Sequence, residues 1–267
     1  DRQLRMGVTT SVGDGAYRAH VAAQVIAWKE SDRARWEAAA IKLGDALRGL
    51  ELSLPKSITL IETTGKDELD AAYTRGAAIV LPAREIAESK SPLNLLAHEL
   101  FHVATRHDPG LRKRLFPKIG FQPVDAVALP KALEPKRLTN PDAFLYDFAI
   151  RVHTRKGDRS FLGIPVLYCA LPLEDALREG LGRSIGISLV ELDDAGKPVS
   201  KDGEPVLHDV GATDFMQLAS INTGYAIHPE EVLADNFALA LAARAGESPK
   251  VDKPDVLEAI VAALTPP

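Results

Sequence analysis

Between residues 15 and 50, apolar side chains recur every three or four positions, first at Val21, Val25 and Trp28 and then at Trp36, Ala40, Leu43 and Leu47. That spacing lays one face of an α-helix against a core. Ser31 and Asp32 fall between the two runs as capping side chains, so two consecutive helices are expected. Residues 57–63 alternate apolar and polar, and residues 76–81 form a short apolar run closed by Pro82; both patterns predict strands. Ser91 followed by Pro92 predicts a helix start, because serine can accept from the free amides of the first turn and proline is pre-set for the first helical position. The helix is expected to reach His107 and to stop at Asp108-Pro109-Gly110.

Downstream, residues 111–142 contain five prolines among basic residues and read as an irregular connector. A β-rich block is expected next. Phe144, Tyr146, Phe148 and Ile150 alternate, residues 164–171 are apolar, and residues 184–191 lead into the turn signal Asp193-Asp194-Ala195-Gly196. The chain closes with helical patterns over residues 229–245 and 254–264.

Composition narrows the class. The 267 residues carry a net charge of −5, with 46% hydrophobic and 26% charged positions, values of an ordinary globular chain long enough for one or two domains. No apolar run approaches the roughly 18 to 20 residues of a membrane-spanning helix. The acidic balance argues against general nucleic-acid binding, and the basic cluster Arg112, Lys113, Arg114 and Lys118 reads as a solvated loop. Cys169 is the single cysteine, lies in an apolar run, and is expected to be a small buried hydrophobe. A first residue other than methionine, together with one cysteine, suits a processed exported chain, secreted or periplasmic, somewhat better than a cytoplasmic one.

The segment with chemistry is His98-Glu99-Leu100-Phe101-His102, an H-E-x-x-H inside the helix that begins at Ser91. At about 100° per residue, the two histidines stand one turn apart on one face, able to bind one metal ion. Glu99 lies about 100° round from His98, placed to take a proton from a water on that ion. Leu93, Leu96, Ala97, Leu100, Val103 and Ala104 give the helix a separate core face.

Three residues compete for a third ligand. Asp108 has the spacing of zincins with H-E-x-x-H-x-x-G-x-x-H/D, but Thr105 occupies the glycine position. His107 would point about 180° away from His98 on a continuous helix. Glu231 opens the 229–245 helix and shares a face with Asp235 and with Ala234, Ala238 and Ala242. Carboxylates on a stripe of small residues need partners: a metal would serve Glu231, and the ring N–H of a liganding histidine would serve Asp235. Glu230 is expected on a solvated face. Glu231 is the favoured ligand.

H-E-x-x-H on one helix with E-x-x-x-D on a later one resembles the gluzincins, the thermolysin-like zinc metallopeptidases. The resemblance implies His98, His102 and Glu231 as zinc ligands, Glu99 as general base and Asp235 as the carboxylate that orients a histidine. It also implies an α+β zincin-like fold: N-terminal helices and a small mixed sheet with the active-site helix, then a helical C-terminal part. Residues 103–230 far exceed the usual gluzincin spacing, so the expected organisation is a zincin subdomain over 1–110, a proline-rich connector and β-rich insertion over 111–211, and the glutamate-helix subdomain over 212–267. An edge strand near residues 76–81 would be suited to pair with an extended peptide.

The function expected is hydrolysis of peptide bonds in a peptide or protein substrate, with the absence of a G-x-M-E-N segment leaning toward endopeptidase action. Alternatives are a zinc hydrolase of another amide or ester, or a latent or binding protein that keeps the scaffold. A further donor must stabilise the oxyanion, and Tyr225 and His228, just ahead of the glutamate helix, are the candidates. Each has a plain structural alternative, a packed aromatic for Tyr225 and a helix cap for His228.

Overall fold

The computed structural model describes residues 1–266. The chain forms two compact units: Arg2–Leu111 with the chain from Ala234 onward, and Arg112–Leu233 with Asp1. The crossings between units at residues 111–112 and 233–234 fall inside helices.

The first unit begins with α1 (Arg2–Met6), α2 (Asp14–Ala22), the two-residue strand β1 (Val25–Ile26) and α3 (Glu30–Ala46). The long helical pattern is thus interrupted earlier than its periodicity suggests. Val25 and Ile26 pair antiparallel with Thr63 and Glu62, and α3 starts after Lys29, so Ser31 and Asp32 lie within its first turn and do not cap it. The expected strands follow as β2 (Thr59–Thr63) and β4 (Ala78–Pro82), with β3 (Tyr73–Arg75) between them. The mixed sheet has the order β1-β2-β4-β3, with β2 and β4 parallel. This corrects the edge-strand expectation for residues 76–81. β4 is interior because Gly76, at φ +57°, turns the chain so that Tyr73–Arg75 folds back and takes the edge.

After α4 (Ala83–Glu88) comes α5 (Pro92–His107), with the bounds predicted for it. Ser91 accepts from the amide of Asn94, and Asp108 ends the helix in extended backbone. Leu93, Leu96, Ala97, Leu100, Val103 and Ala104 are all buried, and α5 packs on α3 and on the sheet. Trp36 of α3, 1% exposed, donates its indole N–H to Ile86 O in α4.

The stretch expected to be irregular is substantially ordered. Helix α6 (Pro109–Leu115) starts where α5 stops, since Pro109 serves a first turn as well as it breaks the preceding one. Leu111, Leu115, Phe116, Ile119 and Phe121 are buried, and β5 (Phe121–Pro123) joins a sheet. That sheet continues with β6 (Phe148–His153) and β7 (Ser160–Cys169), then α7 (Leu173–Glu179), α8 (Leu181–Ser184) and β8 (Ile185–Leu192). A small hairpin, β9 (Ser200–Lys201) with β10 (Glu204–Pro205), precedes β11 (Leu207–Asp209) and α9 (Phe215–Ala219). The strand order is β11-β8-β7-β6-β5, antiparallel throughout. Leu162, Ile164 and Val166 on β7 lie on one face by the two-residue period and form a core with Val190, Leu192, Ala149, Leu129 and Leu133. Alternation at Phe144 and Tyr146 precedes pairing: the strand starts only at Phe148. Cys169 is half-buried and donates its Sγ–H to Leu171 O.

The last helices are α10 (Pro229–Arg244) and α11 (Pro254–Leu264), close to their predicted bounds. The architecture is α+β, and among the described residues no helix is long and apolar enough to cross a membrane.

Candidate metal centre

Helix α5 delivers the two histidines as its geometry requires. His98 and His102 stand one turn apart with ring centroids 4.9 Å from each other, and their Nε2 atoms are 3.1 Å apart. His98 Nδ1 lies 2.7 Å from Asp235 Oδ1 of α10. A carboxylate only accepts, so His98 carries its proton on Nδ1 and its Nε2 lone pair faces His102. This is the relation expected between a liganding histidine and an orienting aspartate.

Two imidazole nitrogens aimed at each other need a proton or a cation between them. Nitrogens bound to one tetrahedral ion at about 2.05 Å stand roughly 3.3 Å apart, so the observed separation suits a shared ion. Glu231 precedes Asp235, the residue that meets His98, by one turn of the same continuous helix. His102, Glu99 and Glu231 are 1%, 3% and 4% exposed. Carboxylates and imidazoles concentrated at such burial favour a site that takes a cation. Two imidazoles and a carboxylate are a donor set that zinc accepts, and with no thiolate present the set is that of an open site more than of a closed structural one.

Of the competing ligands, His107 is exposed, and Asp108 Oδ1 accepts from the amide of Gly110 in the turn that ends α5. The predicted alanine stripe of α10 is buried at Ala234, Ala238 and Ala242, and Phe237 meets Phe101 of α5 with ring centroids 5.4 Å apart.

The two candidate oxyanion donors sit differently. Tyr225 is 46% exposed. His228 is buried, accepts at Nδ1 from the Glu230 amide at 3.1 Å, and donates from Nε2 to Leu145 O at 3.3 Å. Burial pushes its pKa down to about 4, against the opposite pull of Glu231, so the ring is neutral at pH 7. Nδ1 caps the first turn of α10, the structural role foreseen as the alternative for this residue, while Nε2 is held by the Leu145 carbonyl.

Two expectations about charge are corrected. Glu230 is 3% exposed, and Arg112, which belongs to α6 and not to a solvated loop, donates from Nε to Glu230 Oε2 at 3.0 Å. Its Nη1 and Nη2 each reach one oxygen of Asp147 at 2.7 Å. The guanidinium also lies over the Phe116 and Phe148 rings, which stack on each other at 4.1 Å. Adjacent glutamates thus meet different partners: Glu230 an arginine, Glu231 the side-chain amide of Asn140, which donates to its Oε1 at 2.6 Å. Sequence reasoning singled out neither Asn140 nor the Arg112 network. Asn140-Pro141-Asp142 is a recognisable turn signal, but nothing local names its partner.

The fold and site therefore define an α+β protein with a histidine pair, His98 and His102, that could hold a metal ion, Asp235 orienting the first of them. A family model described as the eCIS core domain matches residues 66–110, a span that includes His98, Glu99 and His102. No curated protein and no solved structure matches the chain.

Proposed function

We propose that the protein is a zinc-dependent metallopeptidase of gluzincin type with a zincin-like fold. The observation that carries this reading is the facing Nε2 pair of His98 and His102, with Asp235 setting the tautomer of His98 and Glu231 one turn earlier on the same helix. The matched eCIS core domain, which is found in contexts related to zincin-like metallopeptidases, supports it over the span that holds H-E-x-x-H.

A zinc ion held by these ligands would bring the pKa of its water toward about 7 and polarise a peptide carbonyl. Glu99, one position along α5 from His98, accepts the proton that the attacking water loses and returns it to the leaving amine. Asp235 keeps His98 Nδ1 protonated, so that Nε2 remains a ligand. With His228 committed to its cap, Tyr225 is the oxyanion donor in this reading. Endopeptidase action on a peptide or protein substrate is the reading of choice.

The test is elemental analysis of the purified full chain together with a mixed peptide library. About one zinc per chain is expected, removed by chelator together with peptide cleavage and lost in His102→Ala. A chain that takes up no zinc, or one that cleaves peptides equally well after chelation, overturns the proposal. Asp235→Asn should leave the fold intact and weaken zinc roughly 10- to 100-fold, read by competition with a chromophoric chelator, because asparagine can present an N–H to His98 where the carboxylate only accepts.

A further inference from the structure

Asn140 lies outside both helices that carry the proposed ligands and contacts one of them. Asn140 sits in a turn of the Arg112–Leu233 unit, and its Nδ2 donates to Glu231 Oε1 at 2.6 Å. We infer that Asn140 is a positioning residue for Glu231, holding one carboxylate oxygen so that the other is presented to zinc. The inference rests on the reading of Glu231 as a ligand and extends it to a part of the chain that the gluzincin resemblance does not cover.

Three features make the amide a built support and not a chance neighbour. The first is its orientation. Asn140 Oδ1 accepts from the Asp142 amide at 2.8 Å, so the oxygen is committed to the backbone and the NH₂ must face the carboxylate; the network itself resolves which end is which. Rigidity is the second. The Ala143 amide bonds to Asn140 O at 3.3 Å across Pro141, whose ring fixes one of the turn's torsions, and the flanking Leu138 and Ala143 are buried. Thr139 Oγ1 donates to Asp1 Oδ2, tying the preceding residue as well.

Charge is the third. Glu230 and Glu231 are neighbours in sequence and both buried, yet the cation Arg112 goes to Glu230 while Glu231 receives a neutral amide. An arginine on Glu231 would neutralise it and compete with the metal. A neutral N–H orients the carboxylate and stabilises its ionised form without cancelling its charge. The inserted block thereby separates a structural glutamate from a liganding one.

The experiment measures zinc affinity of the full chain by chelator competition. Asn140→Ala and Asn140→Ser are both expected to weaken zinc by roughly 10- to 100-fold, the effect typical of removing a partner that orients a ligand. Serine can still accept from the Asp142 amide and keep the turn, but is too short to reach Glu231, so metal-free Asn140→Ser should melt at the wild-type temperature. In a Glu231→Ala background, Asn140→Ser should have no further effect on zinc. Wild-type zinc affinity in Asn140→Ser overturns the inference, as does an equal loss with and without Glu231, which would place the role in the turn alone. If Glu231→Ala itself leaves zinc affinity unchanged, the ligand assignment fails and takes this inference with it; that failure is recognisable because no change at Asn140 is involved.

Discussion

Glu99→Gln should lower peptide turnover by roughly 10²- to 10⁴-fold, about 2.7 to 5.4 kcal/mol of transition-state stabilisation, while the protein keeps its zinc and its fold. The residue is 3% exposed on α5, immediately after His98. Glutamine keeps the size of the side chain and its hydrogen-bonding capacity, but an amide cannot take a proton from water at neutral pH. The proposed ligands His98, His102 and Glu231 are untouched by the substitution, so the loss should fall on kcat with zinc content held at the wild-type value. Turnover within a factor of about three of wild type would reject Glu99 as the base. Loss of zinc along with activity would instead assign it to holding the site together.

That prediction rests on the part of the molecule that is most legible in sequence. The bounds of α5 follow from side chains within a few positions of each end: Ser91 and Pro92 at the start, Asp108 and Pro109 at the stop. The facing of His98 and His102 is a property of any helix, and the Asp235 contact follows once α10 meets α5 at Phe237 and Phe101. The strands β2 and β4 are legible for the same reason, each being a run whose own pattern suffices.

What sequence misplaced depends on partners far away in the chain. β1 is two residues whose apolar spacing continues a helical period, and only the pairing of Val25 and Ile26 with Thr63 and Glu62 makes them a strand. β3 exists because Gly76 returns the chain onto β4, which moves the sheet edge away from residues 76–81. The basic cluster was indistinct for a related reason. Arg112, Lys113 and Arg114 are alike in composition, and only position on α6 decides that Arg112 turns inward to Asp147 and Glu230. Glu230 and Glu231 differ by about 100° on their helix, which separates their directions without telling which one meets an arginine.

The second large effect belongs to that arginine. Arg112→Ala is expected to destabilise the protein by about 3 to 5 kcal/mol, measured as the shift in urea midpoint followed by circular dichroism. Arg112 is 12% exposed, with its partners Glu230 and Asp147 at 3% and 21%. Burial alone would disfavour its charge, yet the hydrogen bonds and fields of the two carboxylates outweigh that and raise its pKa. Removing the guanidinium takes the shared cation from both carboxylates at once and the stacked cover from Phe116 and Phe148, so lost electrostatics and lost packing add. Arg112→Lys should recover only part of the loss, since an ammonium cannot reproduce the bidentate grip on Asp147 while also reaching Glu230. Deleting the charges together distinguishes a desolvated network from a surface one: Arg112→Met with Asp147→Asn and Glu230→Gln should be markedly more stable than Arg112→Ala alone, because no buried carboxylate is then left without its cation. A cost below about 1 kcal/mol for Arg112→Ala would mean that water screens these charges as it does at an exposed ion pair, and the arginine would then have no part in holding the first turn of α10.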